Sequence, residues 1–124
     1  MILIVDDDPN FLEHARSALG SQDRVYFASN AQHAMMLLSY IGADLGIALV
    51  DLDLPGMSGF DLIGQIRRFD PKLPVIAVSG VVNRAALESA KEFGAVEILR
   101  KPIDSAMLAT ALDAACAALA AEGR

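Results

Sequence analysis

The chain has 124 residues, which suits one domain with one core, and 54% of them are apolar, so it needs no disulfide staples to fold. A single cysteine excludes an internal disulfide, and Cys116, in an alanine-rich segment, reads as inert filler. The 16 acidic and 10 basic residues give a formal charge of -6 with no basic run, which speaks against nucleic acid as a direct partner.

The N-terminus lacks the basic lead and small-residue site of a signal peptide. The longest apolar tract, Ala114–Ala121, is far too short to span a bilayer, so no membrane role and a cytoplasmic location are expected. Ile2–Val5 is continuous and rich in branched residues, as in a strand buried on both faces. Asp8-Pro9 starts a helix, with Asp8 as cap. Phe11, Leu12, Ala15, Ala18 and Leu19 line one face of that helix, and Gly20 closes it. A second strand is expected over Arg24–Ala28, with Val25 and Phe27 inward. Asn30 caps a helix over Ala31–Ile41 that Gly42 ends.

Leu45–Val50 is again a continuous apolar run and reads as a central strand. Pro55-Gly56 marks a loop, and Ser58-Gly59 caps and opens the third helix. Phe60, Ile63, Ile66 and Phe69 recur at helical spacing, and Asp70-Pro71 stops the helix. Val75–Val78 is the fourth strand, Asn83–Phe93 a helix stopped by Gly94, and Val96–Leu99 the fifth strand. Asp104 caps a last helix reaching about Ala121, whose alanines leave a smooth, weakly polar exterior. Strand and helix thus alternate five times, which argues for a parallel sheet covered on both faces. Such sheets bind ligands beyond the carboxyl ends of their strands.

Asp6 and Asp7 follow the first strand run and Asp51 the third, so the fold can gather them at one edge. Carboxylates packed together repel one another and lose hydration; a hard divalent cation such as Mg²⁺ offsets both and accepts phosphate oxygens. The plainer reading, loop residues and a helix cap, fits Asp8 best. A carboxylate oxygen can also attack phosphorus, and that role suits Asp51. Lys101 follows the fifth strand, where its ammonium can reach a phosphoryl group or Asp51; alone it is equally a surface lysine. Pro102 would hold that turn rigid, and a cis bond is one way to do so. The Ser79 hydroxyl can bond a phosphoryl oxygen, with Gly80 permitting close backbone approach, though both also read as ordinary loop residues. Asp53 can face either the cleft or bulk water. His14 and His33 lie on separate helices without metal-ligand spacing and read as surface or boundary residues.

Ile2–Asp7, Asp51-Leu52-Asp53-Leu54-Pro55-Gly56-Met57-Ser58-Gly59, Val78-Ser79-Gly80 and Lys101-Pro102 together resemble the receiver domain of two-component response regulators, in order and spacing across the whole chain. The resemblance implies a flavodoxin-like (βα)₅ doubly wound sheet of order 2-1-3-4-5, with residues 1–124 as a single receiver domain. It implies that Asp51 accepts a phosphoryl group from a sensor histidine kinase or histidine phosphotransfer protein. Metal-site residues are then Asp7 and Asp51 through their carboxylates, Asp6 by placing a bound water, and Asp53 through its carbonyl, with Mg²⁺ or a substitute Mn²⁺ bound. Ser79 and Lys101 grip the phosphoryl group. Phosphorylation by small donors and slow autodephosphorylation are implied as well. Three departures stand out. Ile98 replaces the usual aromatic switch residue, so backbone shifts around Ser79–Val82 are one alternative output route. Ser58 replaces an aspartate. Val81 and Asp53 flank the path of hydrolytic water.

A partner face is expected on the fourth helix, fifth strand and last helix, where a homodimer is one reading and a high-propensity helix the other. A C-terminal effector domain is expected if the chain is a fragment. Two other functions compete. Asp51-Leu52-Asp53 is similar to the acid pair of haloacid-dehalogenase-type phosphatases, but Pro55 and the short chain count against a phosphatase. A receiver fold that only binds partners is the other, left open by Ile98 and opposed by Asp7, Asp51 and Lys101.

Overall fold

Ile2–Val5, buried at every position, forms the first strand, β1, of a five-stranded parallel sheet. The computed structural model describes residues 2–19, 25–54, 56–80, 83–104, 106–111 and 113. The chain alternates β1 (Ile2–Val5), α1 (Pro9–Leu19), β2 (Val25–Ala28), α2 (Ala31–Ile41), β3 (Ile47–Asp51), α3 (Gly59–Phe69), β4 (Val75–Ser79), α4 (Arg84–Phe93) and β5 (Glu97–Arg100). Residues 106–111 are helical and begin α5. The expectations for Gly20, Arg24, Pro55, Val81, Cys116 and the last helix beyond residue 113 lie outside the described residues. Among those residues no helix is long and apolar enough to cross a membrane.

The strand order is β2-β1-β3-β4-β5, with every neighbouring pair parallel, so the expected flavodoxin-like topology is the one observed. Alternate strand residues feed two cores. Leu3, Val5, Ala48, Val50, Val75 and Ala77 point to one face and pack with Ala34, Leu38, Leu62, Ile63, Ile66 and Ala90 from α2, α3 and α4. Ile2, Ile4, Ile47, Leu49, Ile76 and Val78 point to the other and pack with Phe11, Ala15, Leu108 and Ala111 from α1 and α5. Burying each large side chain contributes about 1.5–3 kcal/mol, which is why the inner strands are apolar on both faces. Edge strand β2 is only half-buried; Val25 and Phe27 lie against the second core as expected, and Tyr26 against the first.

Three strands depart from their apolar runs. The ladder of β3 begins at Ile47, because Gly42–Asp44 form a 3₁₀ turn closed by Leu45 N–H on Gly42 O; Leu45 is buried without being a strand residue. Both β3 and β4 run one residue past the apolar run, to Asp51 and Ser79, since backbone pairing continues where the side chains turn polar. β5 is shifted one residue, to Glu97–Arg100; Val96 bonds Val75 O but its side chain is 44% exposed.

The helix caps are local. Asn30, Ser58, Asn83 and Asp104 accept the N–H of His33, Asp61, Ala86 and Met107, satisfying donors that the first turn leaves open. Asp8 accepts Asn10 N–H at 2.9 Å, which supports its assignment as a cap. Gly42 ends α2 in a right-handed conformation, and a Cβ there would fall 2.3 Å from the Phe69 ring. Phe69, which shares its helical spacing with Ile63 and Ile66, lies over Gly42 and is half exposed, whereas Leu62 is fully buried. At the outer margin of the sheet, the Ile98 N–H donates to the Glu97 carboxylate at 3.2 Å.

Candidate functional site

The carboxyl ends of β1, β3 and β5 deliver acids and one lysine to a single point. Asp6 N–H bonds Ala28 O across the β1–β2 pair, fixing the residue beyond the last rung. Its side chain is wholly buried, with Oδ1 accepting Asp8 N–H at 2.8 Å. Asp51 is the last residue of β3 and 2% exposed, and its Oδ1 accepts Asp53 N–H at 2.9 Å. Lys101 Nζ stands 2.8 Å from Asp6 Oδ2 and 3.3 Å from Asp51 Oδ2. Asp7 is exposed at the rim. One carboxylate oxygen from each of Asp6, Asp7 and Asp51 lies within 4.8 Å of the others.

The backbone holds these loops in register. Leu52 N–H bonds Val78 O at 2.8 Å and Lys101 N–H bonds Ser79 O at 2.9 Å, tying β3 to β4 and β4 to β5 just where the functional side chains leave the sheet. The Lys101–Pro102 peptide is cis. Gly59 lets α3 start against β3: a Cβ there would meet Asp51 O at 2.3 Å and Leu52 Cα at 2.5 Å.

Asp6, Asp51 and Lys101 carry a net negative charge in a poorly hydrated place. Burial pushes the Asp6 carboxyl above its ordinary range, and the neighbouring Asp51 charge adds to this; the contacts with Lys101 and Asp8 N–H oppose it without prevailing. Burial disfavours charge on Lys101, but its contact with Asp6 and the charges of Asp6 and Asp51 outweigh that and hold the ammonium above the ordinary lysine range. Asp6 Oδ2 is sealed from solvent and receives no aligned hydrogen bond, the Lys101 contact being an ion pair. A buried carboxylate oxygen in that state, with two further acids beside it, is a donor set for a hard cation.

Asp53 is turned toward the cleft, which its position in the chain left open. Its Oδ2 accepts the Ser79 hydroxyl at 3.2 Å and Gly80 N–H at 3.4 Å. Ser79 therefore stands in the same cluster as the acids, linked through Asp53. Ile98 is buried in the first core opposite Ala77, so an aliphatic side chain fills that part of β5. His14 is exposed and His33 half-buried, as expected. One contact escaped the sequence reading: Lys101 Nζ lies over the Phe11 ring, 5.1 Å from its centroid. Phe11 fits a core position by spacing alone, and nothing in its spacing distinguishes a core ring from one facing a cation.

Acids and a lysine gathered beyond the carboxyl ends of a 2-1-3-4-5 parallel sheet place a charged cluster where such sheets bind ligands. Comparison with known proteins agrees. The family model for the response regulator receiver domain matches residues 2–113. A response regulator receiver protein of Anaeromyxobacter sp. is 34% identical over 102 residues, covering 82% of this chain and 42% of that protein. An uncharacterized 14.6 kDa protein of Leptolyngbya boryana is 36% identical over 108 residues, covering 83% of this chain and 79% of that one. Six further curated relatives, at 30–35% identity, are spanned over only 23–50% of their length. The crystal structure of a CheY-like response regulator receiver domain protein from Methanospirillum hungatei superposes with a TM-score of 0.88 at 24% identity, covering 98% of this chain and 96% of that one, a likeness of fold. The chain belongs to the response regulator receiver domain family. Its Asp6, Asp7 and Asp51 form an acidic cluster able to hold a divalent cation.

Proposed function

We propose that Asp51 is the phosphoacceptor, that Lys101 and Ser79 secure the transferred group, and that residues 1–124 act as one receiver unit. The observation that carries this reading is the placement of Asp51: last residue of β3, 2% exposed, with Oδ2 3.3 Å from the Lys101 ammonium and Asp6 and Asp7 alongside. An Asp51 carboxylate oxygen forms the new O–P bond while the N–P bond of a phosphohistidine breaks and its electron pair returns to the imidazole. Lys101 balances charge on the phosphoryl oxygens, and the Ser79 hydroxyl turns from Asp53 to bond one of them. The donor is a sensor histidine kinase or a histidine phosphotransfer protein.

Asp6, Asp7 and Asp51 would hold Mg²⁺, with Mn²⁺ as a substitute, and the Asp53 carbonyl is the proposed fourth protein ligand. When bound, the cation supplies charge neutralisation for the acids and the phosphoryl oxygens. The added phosphoryl charge then biases the loops after β4 and β5 between two arrangements. A partner reads the change on α4, β5 and α5; a homodimer through that face and a C-terminal effector domain belong to the same proposal. The compartment proposed is the cytoplasm.

Incubation with acetyl phosphate and Mg²⁺, followed by intact mass, tests the reading. One phosphoryl adduct, lost in Asp51→Asn, is the expected result. Absence of an adduct with small donors and with histidine phosphodonor proteins would favour the alternative of a binding module that never gains phosphate. Multiple turnover of a small phosphomonoester, lost in Asp53→Asn, would favour a phosphatase.

A further inference from the structure

The Lys101 ammonium is held on three sides, and only two of them are acids. Asp6 Oδ2 and Asp51 Oδ2 lie at 2.8 and 3.3 Å, and the Phe11 ring lies below it at 5.1 Å from the centroid. Phe11, in the first turn of α1, is 8% exposed and belongs to the packed cluster that includes Ile4, Ala15, Ile103 and Leu108, so its ring is anchored from behind. On the open side is a cavity of about 410 Å³, lined among others by Phe11, His14, Lys101 and Ile103. A lysine there has two destinations, the acid cluster or the cavity.

We propose that Phe11 is a positioning residue for Lys101, its ring holding the ammonium at the acid cluster through phosphorylation. The inference rests on the proposed roles of Asp51 and Lys101. Once Asp51 becomes an acyl phosphate its carboxylate charge is gone, and the ammonium loses one of its two carboxylate partners. The ring's attraction for a cation comes from its quadrupole and does not change with the state of Asp51. Phe11 therefore keeps the lysine in place while the negative charge moves from carboxylate to phosphoryl oxygens. An aliphatic residue of similar size would fill the core equally well and give no such hold.

Successive fluorination of the Phe11 ring separates these roles, because it drains the quadrupole at nearly constant volume. Chains carrying mono-, di- and trifluorophenylalanine at position 11 are expected to lose phosphorylation rate with acetyl phosphate and Mg²⁺ in steps, reaching roughly three- to thirty-fold. Thermal stability should fall only slightly across the series, by no more than the ring–ammonium attraction itself, since the packing volume is nearly kept. A flat rate series overturns the proposal. NMR supplies a readout apart from activity: the Lys101 ε-methylene protons of the unphosphorylated chain should carry an upfield ring-current shift that disappears in Phe11→Leu. If that shift is absent, the ring does not face the lysine and the proposal fails. A native chain that takes no phosphoryl group on Asp51 overturns the assignment of Asp51 instead, and the ring current then decides the placement of Phe11 by itself.

Discussion

The Ser79 hydroxyl donates a hydrogen bond to Asp53 Oδ2 at 3.2 Å, across the gap between the β3–α3 and β4–α4 loops. The same carboxylate oxygen accepts Gly80 N–H at 3.4 Å, so one acid clasps two successive residues at the end of β4. A hydroxyl engaged this way must leave Asp53 before it can bond a phosphoryl oxygen. A phosphoryl group on Asp51 would compete for the hydroxyl and also repel the acid that holds it.

Removing the clasp should therefore favour the phosphorylated arrangement. Asp53→Ala is expected to bind beryllofluoride, a phosphoryl mimic, roughly three- to tenfold more tightly in the presence of Mg²⁺, the worth of about one hydrogen bond. Asp53→Asn, which keeps a neutral acceptor, should fall between. A titration showing weaker or unchanged binding in Asp53→Ala would remove the clasp from the account.

Lys101 is the counterion of two buried acids. Lys101→Met leaves both uncompensated, and the metal-free chain should lose about 1–3 kcal/mol, less than for a fully buried pair because the lysine side chain is 24% exposed. Millimolar Mg²⁺ should restore most of this loss, since a divalent ion supplies the missing charge. Denaturant unfolding with and without Mg²⁺ makes the comparison; a variant as stable as the native chain without Mg²⁺ would contradict it.

Gly59 is set by the space at the foot of α3. A methyl group in Gly59→Ala would enter the backbone at Asp51 O and Leu52 Cα, neither of which can rotate aside. The expected cost is about 1–3 kcal/mol, accompanied by slower phosphorylation, because relief requires moving the Asp51 loop. Unchanged stability together with a native rate would show that the loop adjusts freely.

Asp6 gives a pH signature with a definite sign. Its folded pKa is raised above the unfolded value of 3.8, chiefly by burial, so the folded chain binds that proton more tightly than the unfolded chain does. This contribution to stability is complete below pH 3.8 and is lost as pH rises through the folded pKa. Asp6→Asn removes it. Without metal, the stability of Asp6→Asn relative to the native chain should climb as pH rises through that window and then level off. Parallel pH–stability curves for the two chains would contradict the raised pKa.

The sheet was legible because β1 is apolar throughout and β3 is apolar up to Asp51, as strands covered on both faces are. Strand ends were less so. Apolar runs report where side chains are buried, whereas ladders end where backbone pairing ends, and these differ at Asp51, Ser79 and Arg100. The convergence of Asp6, Asp7, Asp51 and Lys101 followed from strand-end positions in a parallel sheet. The direction of Asp53 did not, because an exposed loop acid is aimed by its neighbours' donors, here Ser79 and Gly80. Phe11 and Phe69 had the same helical spacing as core residues. One faces an ammonium and the other covers a glycine, and neither is encoded in periodicity.

At the far border of the molecule, Glu97 folds its carboxylate back onto the amide of Ile98. β5 ends the sheet, and an incoming strand would need that amide. It would meet an anion already in possession of the hydrogen. The border is thereby discouraged from zipping to a stranger's backbone, and whatever visits β5 is steered toward recognising side chains.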